Sequence, residues 1–142
     1  CKDFYCSDMT RTYFYKEASE LQRKVHDIVL KANVEAEKII RPGVRLCDID
    51  LTARNIIANE GYGEYFTHRL GHFIGQSGHE AGDVSSTNTN VVKEGMIFSI
   101  EPGIYIPGFA GVRIEDCGVV TKDGFKPFTH TDKDLKILPL KD

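Results

Sequence analysis

The chain has 142 residues, enough for one domain with a hydrophobic core, and its hydrophobic (41%) and charged (27%) contents are typical of globular proteins. A net charge of −3 without a basic stripe argues against a nucleic-acid partner, and no apolar run is long enough for a transmembrane helix. The four cysteines form no CxxC pair, a pattern that favours reduced thiols in a cytoplasmic protein.

The first predicted element is a strand. Residues Phe4 to Tyr15 alternate and are rich in aromatic and β-branched side chains. In this strand Asp8 shares a face with Phe4 and Phe14, where burying a lone carboxylate is costly. A bulge or an exposed face at Asp8 would remove that cost, and the residues alone leave these alternatives open.

A long amphipathic helix is predicted from Lys16 to Ile40 and ends before Pro42 and Gly43. His26 lies beside its apolar stripe and is predicted to be a residue of the helix surface. The stripe that we expect to be buried consists of Leu21, Val25, Ile28, Ala32 and Ile39.

A second helix is predicted to begin at Asp48, which would act as its N-cap, and to end near Asn59. Gly61 then stops it. Its buried residues are expected to be Leu51, Ile56 and Ile57.

The segment HRLGHFIGQSGH at 68–79 contains three histidines. His68 and His72 are four residues apart, which would place them on one face of a helix, but Gly71 and Gly75 argue against a helix here. A strand would also keep this even spacing on one face. Taken alone, each of these two histidines and His79 would be interpreted as a hydrogen-bonded structural residue.

After a polar loop over residues 82–93, a β-hairpin is predicted. Its arms are Gly95 to Ile106 and Gly111 to Thr121, joined by a turn that contains Pro107 and Gly108. Pro102 within the first arm indicates a sheet edge or a bulge.

The register of this hairpin brings two carboxylates together. If the turn is centred on Gly108, Tyr105 faces Gly111 and Glu101 lies directly opposite Glu115. Like charges in that position are destabilising, and inward-facing carboxylates also lose hydration. A divalent metal would compensate both costs, with His72 as a nitrogen ligand. The alternative is a surface hairpin with one arm slipped, which would separate the two glutamates.

The rest of the chain is predicted to be β-structure. Asp123 and Gly124 form a tight turn into a strand over Phe125 to Phe128. Leu135 to Leu140 is either a last strand or a tail.

Several ordered motifs then identify a family. The strings SDMTR, HRLGH, IEPGIYIPG and GVRIED together resemble the pita-bread metallopeptidases, in particular the Xaa-Pro dipeptidase (prolidase) and aminopeptidase P branch. The resemblance implies an α+β fold, the C-terminal part of a pita-bread catalytic domain, in which a curved antiparallel sheet is backed by helices. Residues 1–142 would then be the C-terminal portion of that catalytic domain.

The same resemblance implies a metal site. It makes Asp8, His72, Glu101 and Glu115 ligands of two divalent ions, with Asp8 bridging them. Oxygen-rich ligation favours manganese as the metal, and cobalt and zinc are the other candidates.

The resemblance also assigns catalytic and substrate-binding roles. His79 would handle a proton near the scissile bond, and Glu101 would relay the proton of the attacking water. His68 would contact the substrate. Arg113 would either orient Glu115 or hold the substrate's carboxylate.

Some residues depart from the family pattern. Phe73 replaces a usual glycine and Gly82 replaces a common proline, so the shape of the pocket is expected to differ. The first aspartate of the family's ligand set would lie before Cys1. We therefore expect a missing N-terminal part of the same protein to supply it, and we expect this chain alone to be inactive.

The implied function of the intact protein is removal of the N-terminal residue from Xaa-Pro dipeptides or peptides. The partners expected are a peptide with proline in second position, the missing N-terminal part and a second copy in a homodimer. Two alternatives remain on the same fold: a methionine aminopeptidase, and a non-catalytic peptide- or protein-binding module.

Overall fold

The computed structural model describes residues 2–139. Within them lie two α-helices and a 3₁₀ turn, which are α1 (Glu20–Ile39), α2 (Leu46–Asn59) and Gly63–Tyr65. Strands precede and follow the helices: β1 (Met9–Thr10), β2 (Tyr13–Tyr15), β3 (Gly71–His72), β4 (Asp83–Val84), β5 (Ile97–Ile100), β6 (Gly103–Ile106), β7 (Ala110–Arg113), β8 (Glu115–Thr121), β9 (Gly124–Pro127) and β10 (Lys136–Leu138).

Strand β8 is the centre of the main sheet. It pairs antiparallel with β5 along one edge, and with both β1 and β9 along the other. Strands β6 and β7 form a hairpin, β3 pairs with β4, and β10 runs parallel to β2. Segments from both ends of the chain therefore meet around one strand.

The predicted hairpin register is confirmed. Tyr105 is paired with Gly111 across β6 and β7, and Ile100 is paired with Asp116 across β5 and β8. These two ladders keep one register across the break at Pro102, so Glu101 lies opposite Glu115 as predicted.

The core lies between the helices and the sheet, and it confirms the predicted α+β class. Both helices turn an apolar stripe towards the strands because their buried positions recur every three or four residues. Members of this core are Val25, Ile28, Val29 and Ala32 from α1, Ile49, Ala53 and Ile57 from α2, and Phe98, Ile100, Ile104, Val112 and Val120 from the strands. No helix within residues 2–139 is long and apolar enough to cross a membrane.

The first predicted strand is shorter than expected. Phe4 has a positive φ of 68° and is 87% exposed, so it belongs to a turn and not to the strand. The pairing is also interrupted between β1 and β2, at the residues Arg11 and Thr12. Strand β2 ends at Tyr15, because the next residue, Lys16, has a φ of 67°, which is incompatible with extended backbone.

Helix α1 begins later than predicted. Ser19 is its N-cap: the Ser19 hydroxyl accepts from the backbone of Gln22, and the Gln22 side chain accepts from the Ser19 backbone. Leu21 therefore falls in the first turn and is 42% exposed, so its predicted burial is wrong. His26 was predicted to be on the surface, yet it is 1% exposed because it packs against Phe14 of β2.

Helix α2 begins two residues before the predicted cap. Arg45 is its N-cap and makes no side-chain capping bond. Asp48 lies inside the first turn, where it forms a bidentate ion pair with Arg45 at 2.7–2.9 Å. Leu51 was predicted to be buried but is 38% exposed, whereas Ile57 is fully buried as predicted.

The predicted loop over residues 82–93 is not entirely irregular. It contains the short strand β4, whose Val84 is fully buried, and Val92 is also buried. The predicted last strand is present as β10, and its expected final residue, Leu140, lies outside the described residues.

Candidate metal centre

Three of the predicted ligands lie on one face of the main sheet. Thr10 of β1 is paired with Glu115 of β8, and Asp8, two residues earlier, shares the face of Thr10 because a strand alternates with period two. Glu101 lies opposite Glu115 too, in the segment that follows β5 along the other edge of β8. Three carboxylates from separate segments therefore point to one side of the sheet.

The fourth predicted ligand, His72, reaches this face through a close approach of β3 to β5. A Cβ atom on Gly71 would lie 1.9 Å from the Ser99 carbonyl oxygen, so only glycine allows the two backbones to come this close. The backbone N–H of His72 donates to the Ser99 hydroxyl at 2.9 Å. This contact holds His72 beside the carboxylates.

The four side chains converge. His72 Nε2 lies 3.3 Å from Glu101 Oε1 and 3.8 Å from Asp8 Oδ2. Asp8, His72 and Glu115 each present one ligand atom within 4.8 Å of the others. The other ring nitrogen of His72, Nδ1, lies 3.1 Å from the Phe73 carbonyl oxygen and must donate to it, so Nε2 faces the carboxylates.

The electrostatics of the cluster suit a cation. Burial raises the pKa of Glu115, and the nearby Glu101 and Asp8 carboxylates raise it further, while the hydrogen bond from Thr10 lowers it. Glu115 is 1% exposed, and its Oε1 has no hydrogen-bond partner among the described residues. A divalent ion would satisfy that oxygen and offset the mutual repulsion of the carboxylates.

Arg113 acts on Glu115 mainly through Thr10. The Thr10 hydroxyl donates to Glu115 Oε2 at 2.6 Å and accepts from Arg113 Nε at 3.1 Å. The direct distance from Arg113 Nε to Glu115 Oε2 is longer, at 3.9 Å. Of the two predicted roles for Arg113, this geometry favours the orientation of Glu115.

His68 lies at the rim of the same site. Its Nδ1 donates to the Arg69 carbonyl at 2.7 Å, and its Nε2 therefore accepts from the Tyr105 hydroxyl at 3.0 Å. Tyr105 also lies near Arg113. Burial raises the pKa of the Tyr105 phenol, and this effect is larger than that of the Arg113 charge, which lowers the same pKa. Tyr105 thus connects the two residues that were predicted to contact substrate.

His79 is exposed and stands over the centre. Its ring centroid lies 3.9 Å from that of His72, with the two planes tilted by 37°. A cavity of about 680 Å³ adjoins the predicted residues, and it is lined by His68, His72, His79, Glu101, Arg113, Arg69, Asp83, Ser85 and Thr87. Five of the seven predicted site residues therefore line one polar space that can hold a small peptide, and the other two, Asp8 and Glu115, do not line it.

Sequence reasoning missed an ion pair on α2 that fixes the segment leading to this site. Asp50 and Arg54, four residues apart on α2, form a bidentate pair at 2.7–3.0 Å. Asp50 accepts from the Leu70 backbone, and Arg54 donates to the carbonyls of Phe66 and His68, so α2 holds the segment that leads to His72. The acid–base spacing of i and i+4 on a helix was the available signal.

Comparison with known proteins agrees with this geometry. The sequence model of metallopeptidase family M24 matches residues 1–122. An Xaa-Pro dipeptidase of Lactobacillus helveticus is 57% identical over 140 residues, which cover 99% of this chain and 38% of that protein.

Solved structures give the same result. An Xaa-Pro dipeptidase from Bacillus anthracis is similar with a TM-score of 0.93 and 42% identity over 95% of this chain and 38% of that one. An X-Pro aminopeptidase from Thermotoga maritima has a TM-score of 0.92 and 38% identity, again over 95% of this chain and 38% of that one. This chain thus spans about 38% of the length of these relatives.

Proposed function

Since the chain belongs to metallopeptidase family M24, we propose that the whole protein is a dinuclear metal-dependent exopeptidase that cleaves Xaa-Pro dipeptides or peptides. The predicted pita-bread fold is confirmed by the TM-scores of 0.92 and 0.93 with family structures. Because the chain spans only about 38% of its relatives, we propose that it supplies the C-terminal portion of the catalytic domain.

One observation carries the proposal. Glu115 is buried, and its Oε1, which accepts no hydrogen bond from the described residues, lies in a carboxylate beside the ligand atoms of Asp8 and His72. Glu101 Oε1 lies 3.3 Å from Nε2 of the same imidazole. A protein stabilises such a group of carboxylates most readily with a bound cation.

Members of this family use divalent metal ions, and we propose that Asp8, His72, Glu101 and Glu115 hold two of them. Three carboxylates and one imidazole form an oxygen-rich set that favours manganese. When bound, divalent ions polarise the scissile carbonyl and make a water molecule nucleophilic at neutral pH.

The other residues of the site have separate tasks. Glu101 accepts the proton of the attacking water, and the Ser99 hydroxyl, which donates to Glu101 Oε1 at 3.1 Å, fixes its carboxylate. His79 donates a hydrogen bond to the oxygen on which negative charge develops. His68 contacts the substrate from the rim of the cavity, and Arg113 orients Glu115 through the Thr10 hydroxyl.

The substrate class is proposed from the relatives. The similar proteins are named Xaa-Pro dipeptidases and an X-Pro aminopeptidase, and proline in second position distinguishes these substrates from those of other exopeptidases. We also propose that the missing N-terminal part of the protein and a second copy complete the molecule. A cytoplasmic location stays a prediction.

Hydrolysis of Ala-Pro and Met-Ala by the whole protein with manganese tests this function. We expect Ala-Pro to be cleaved, Met-Ala to be cleaved poorly, and a chelator to abolish both reactions. Preferential cleavage of Met-Ala would indicate a methionine aminopeptidase instead. Binding of peptides without cleavage of either would indicate a non-catalytic module.

A further inference from the structure

A second polar cluster lies on the face of the main sheet that is opposite to the metal ligands. Its centre is Asp116, which directly follows Glu115 and therefore points to the other side of β8. Asp116 is fully buried, and the side chain of its partner Arg11 is 4% exposed. Arg11, Asp116 and Lys133 form this cluster.

Arg11 joins three segments of the chain. Its Nη1 donates to the carbonyls of Thr10 at 2.9 Å and Glu115 at 2.7 Å, and its Nη2 donates to Asp116 Oδ1 at 2.7 Å. It also donates to the Thr131 carbonyl at 2.8 Å. A single guanidinium thus contacts β1, β8 and the segment before β10.

Lys133 holds the same carboxylate from the other side. Its ammonium group lies 2.5 Å from Asp116 Oδ2, and it also donates to Asn33 and Glu37 of α1 at 2.7 and 2.8 Å. Asp116 therefore balances two cations that come from different elements. Its charge keeps both of them in place behind the metal ligands.

This arrangement matters because the pairing between β1 and β8 is very short. The ladder consists of Met9 with Asp116 and Thr10 with Glu115. Yet β1 follows directly on Asp8, and β8 begins with Glu115, so the separation of two predicted metal ligands depends on this contact. The bonds from Arg11 to the carbonyls of Thr10 and Glu115 reinforce this short ladder at one of its two residue pairs.

We infer that Arg11, with Asp116 as its counter-ion, is a positioning residue that sets the separation of the metal ligands Asp8 and Glu115. The inference rests on the proposed function, because it takes these two residues as ligands. Within residues 2–139, the hydrogen bonds of Arg11 go to backbone carbonyls and to Asp116, so Arg11 acts on the ligands through the backbone of the strands that carry them. A planar guanidinium holds five N–H donors in a fixed fork, whereas a lysine ammonium has three donors on a flexible stem and cannot reproduce the spacing of the bonds that Arg11 makes to two carbonyls and a carboxylate.

The test uses the whole protein and its affinity for Mn²⁺. Metal-free parent and Arg11→Lys proteins are titrated calorimetrically with Mn²⁺, and kcat for Ala-Pro is measured at several metal concentrations. We expect Arg11→Lys to weaken Mn²⁺ binding by about 10- to 100-fold, the usual effect of losing an outer partner of a metal ligand. Activity should return towards the parent value when Mn²⁺ is in excess, because the ligands themselves are intact.

Val120→Ala is the matched control. Val120 is buried, lies on β8 and shares the face of Asp116, but it is remote from Arg11. The control should lower the melting temperature without weakening Mn²⁺ binding. Parent-like Mn²⁺ affinity in Arg11→Lys would overturn the inference. An equal loss of Mn²⁺ affinity in Val120→Ala would also overturn it, because any destabilisation of the sheet would then weaken metal binding.

A second variant covers the case in which Arg11→Lys does not fold. Asp116→Asn keeps the shape of the side chain but removes the charge that anchors Arg11, and it should weaken Mn²⁺ binding in the same direction. Unchanged affinity in Asp116→Asn would then overturn the inference. Failure of the parent protein to bind Mn²⁺ would instead contradict the proposed function, so the two results are distinguishable.

Discussion

At the scale of single residues, the two neighbouring histidines of the site, His72 and His79, have different surroundings. His72 is buried, donates through Nδ1 to a backbone carbonyl and turns Nε2 to the carboxylates. His79 is exposed and faces the cavity. We therefore expect His72 to bind metal and His79 to serve the chemical step.

Substitution of each histidine separates these roles. In the whole protein, His79→Ala should lower kcat by roughly two to four orders of magnitude, the scale of a lost proton-transfer group, and leave the metal content intact. His72→Ala should instead lose metal. Elemental analysis of the purified variants together with Ala-Pro kinetics measures both effects, and parent-like metal content in both variants would contradict this division.

His26 predicts a dependence of stability on pH. Burial lowers the pKa of His26 below its usual 6.5, although Asp27 and Asp134 raise it in part, and its Nδ1 has no hydrogen-bond partner among the described residues. As the pH falls below 6.5, the unfolded chain binds a proton that the folded protein resists, so stability is lost as the pH falls towards the folded pKa.

The variant His26→Leu tests this effect. It should show a smaller fall in melting temperature between pH 7.5 and pH 5.5 than the parent, because the buried titrating group is gone. Asp27→Asn, which keeps the imidazole and removes an exposed charge beside it, is the matched control and should retain the fall. An unchanged pH dependence in His26→Leu would show that other groups cause the acid sensitivity.

The sequence predicted residues that act through side chains better than residues that act through the backbone. The facing glutamates followed from strand alternation and one turn, because these rules are local. Arg11 was not found, since its partners are carbonyls of Thr10 and Glu115 that no sequence pattern displays. His26 was misplaced because periodicity along α1 does not reveal that β2 covers it.

At the scale of elements, the contact of β3 with β5 determines where His72 lies. A Cβ on Gly71 would overlap the Ser99 carbonyl, whereas a Cβ on Gly78, in the same segment, would meet nothing within 4 Å. The two glycines therefore differ in their tolerance of a methyl group although both belong to the stretch that carries the histidines.

Replacement of these glycines by alanine compares the two positions. Gly71→Ala should destabilise the protein by about 1–3 kcal/mol or more, the usual cost of forcing extra volume into a packed site, and should weaken metal binding because β3 must move. Gly78→Ala should change the free energy of unfolding by less than about 0.5 kcal/mol. Urea denaturation measures both, and equal stability of the two variants would contradict a tight β3–β5 contact.

Element types were predicted well and element limits less well. Pro102 was expected to disturb its strand, and the ladder is indeed interrupted there between β5 and β6. Helix α1 begins at Glu20 and not at the predicted Lys16, because the capping box of Ser19 and Gln22 fixes its first turn. Strand β4 is two residues long and is stabilised by its pairing with β3, a tertiary contact that local sequence does not encode.

At the scale of the whole molecule, several large apolar side chains near the two ends of the described chain are exposed. They lie around β1, β2 and β10, and they are Phe4, Tyr5, Met9, Tyr13, Tyr15 and Leu138, each 41–87% exposed. Patches of this kind mark surfaces that contact other parts of a protein. The missing part of the molecule is the proposed occupant.

We therefore predict that the 142-residue chain alone is inactive and does not hold a normal pair of metal ions. A site that lacks one charged ligand binds a hard cation more weakly, because affinity depends on the number and rigidity of its anionic oxygens. Calorimetric titration with Mn²⁺, an Ala-Pro assay and analytical ultracentrifugation test this, and the chain should also self-associate. Two tight metal sites per chain, or substantial turnover, would contradict the prediction.

The position of β8 has a consequence for how the protein is made. Thr10 and Glu115, which are hydrogen-bonded across β1 and β8, are 105 residues apart in the chain. Closing a loop of that length costs about 4 kcal/mol in chain entropy. Asp8 therefore leaves the ribosome long before its partner Glu115 exists, and we expect metal to be loaded only after synthesis of β8 is complete.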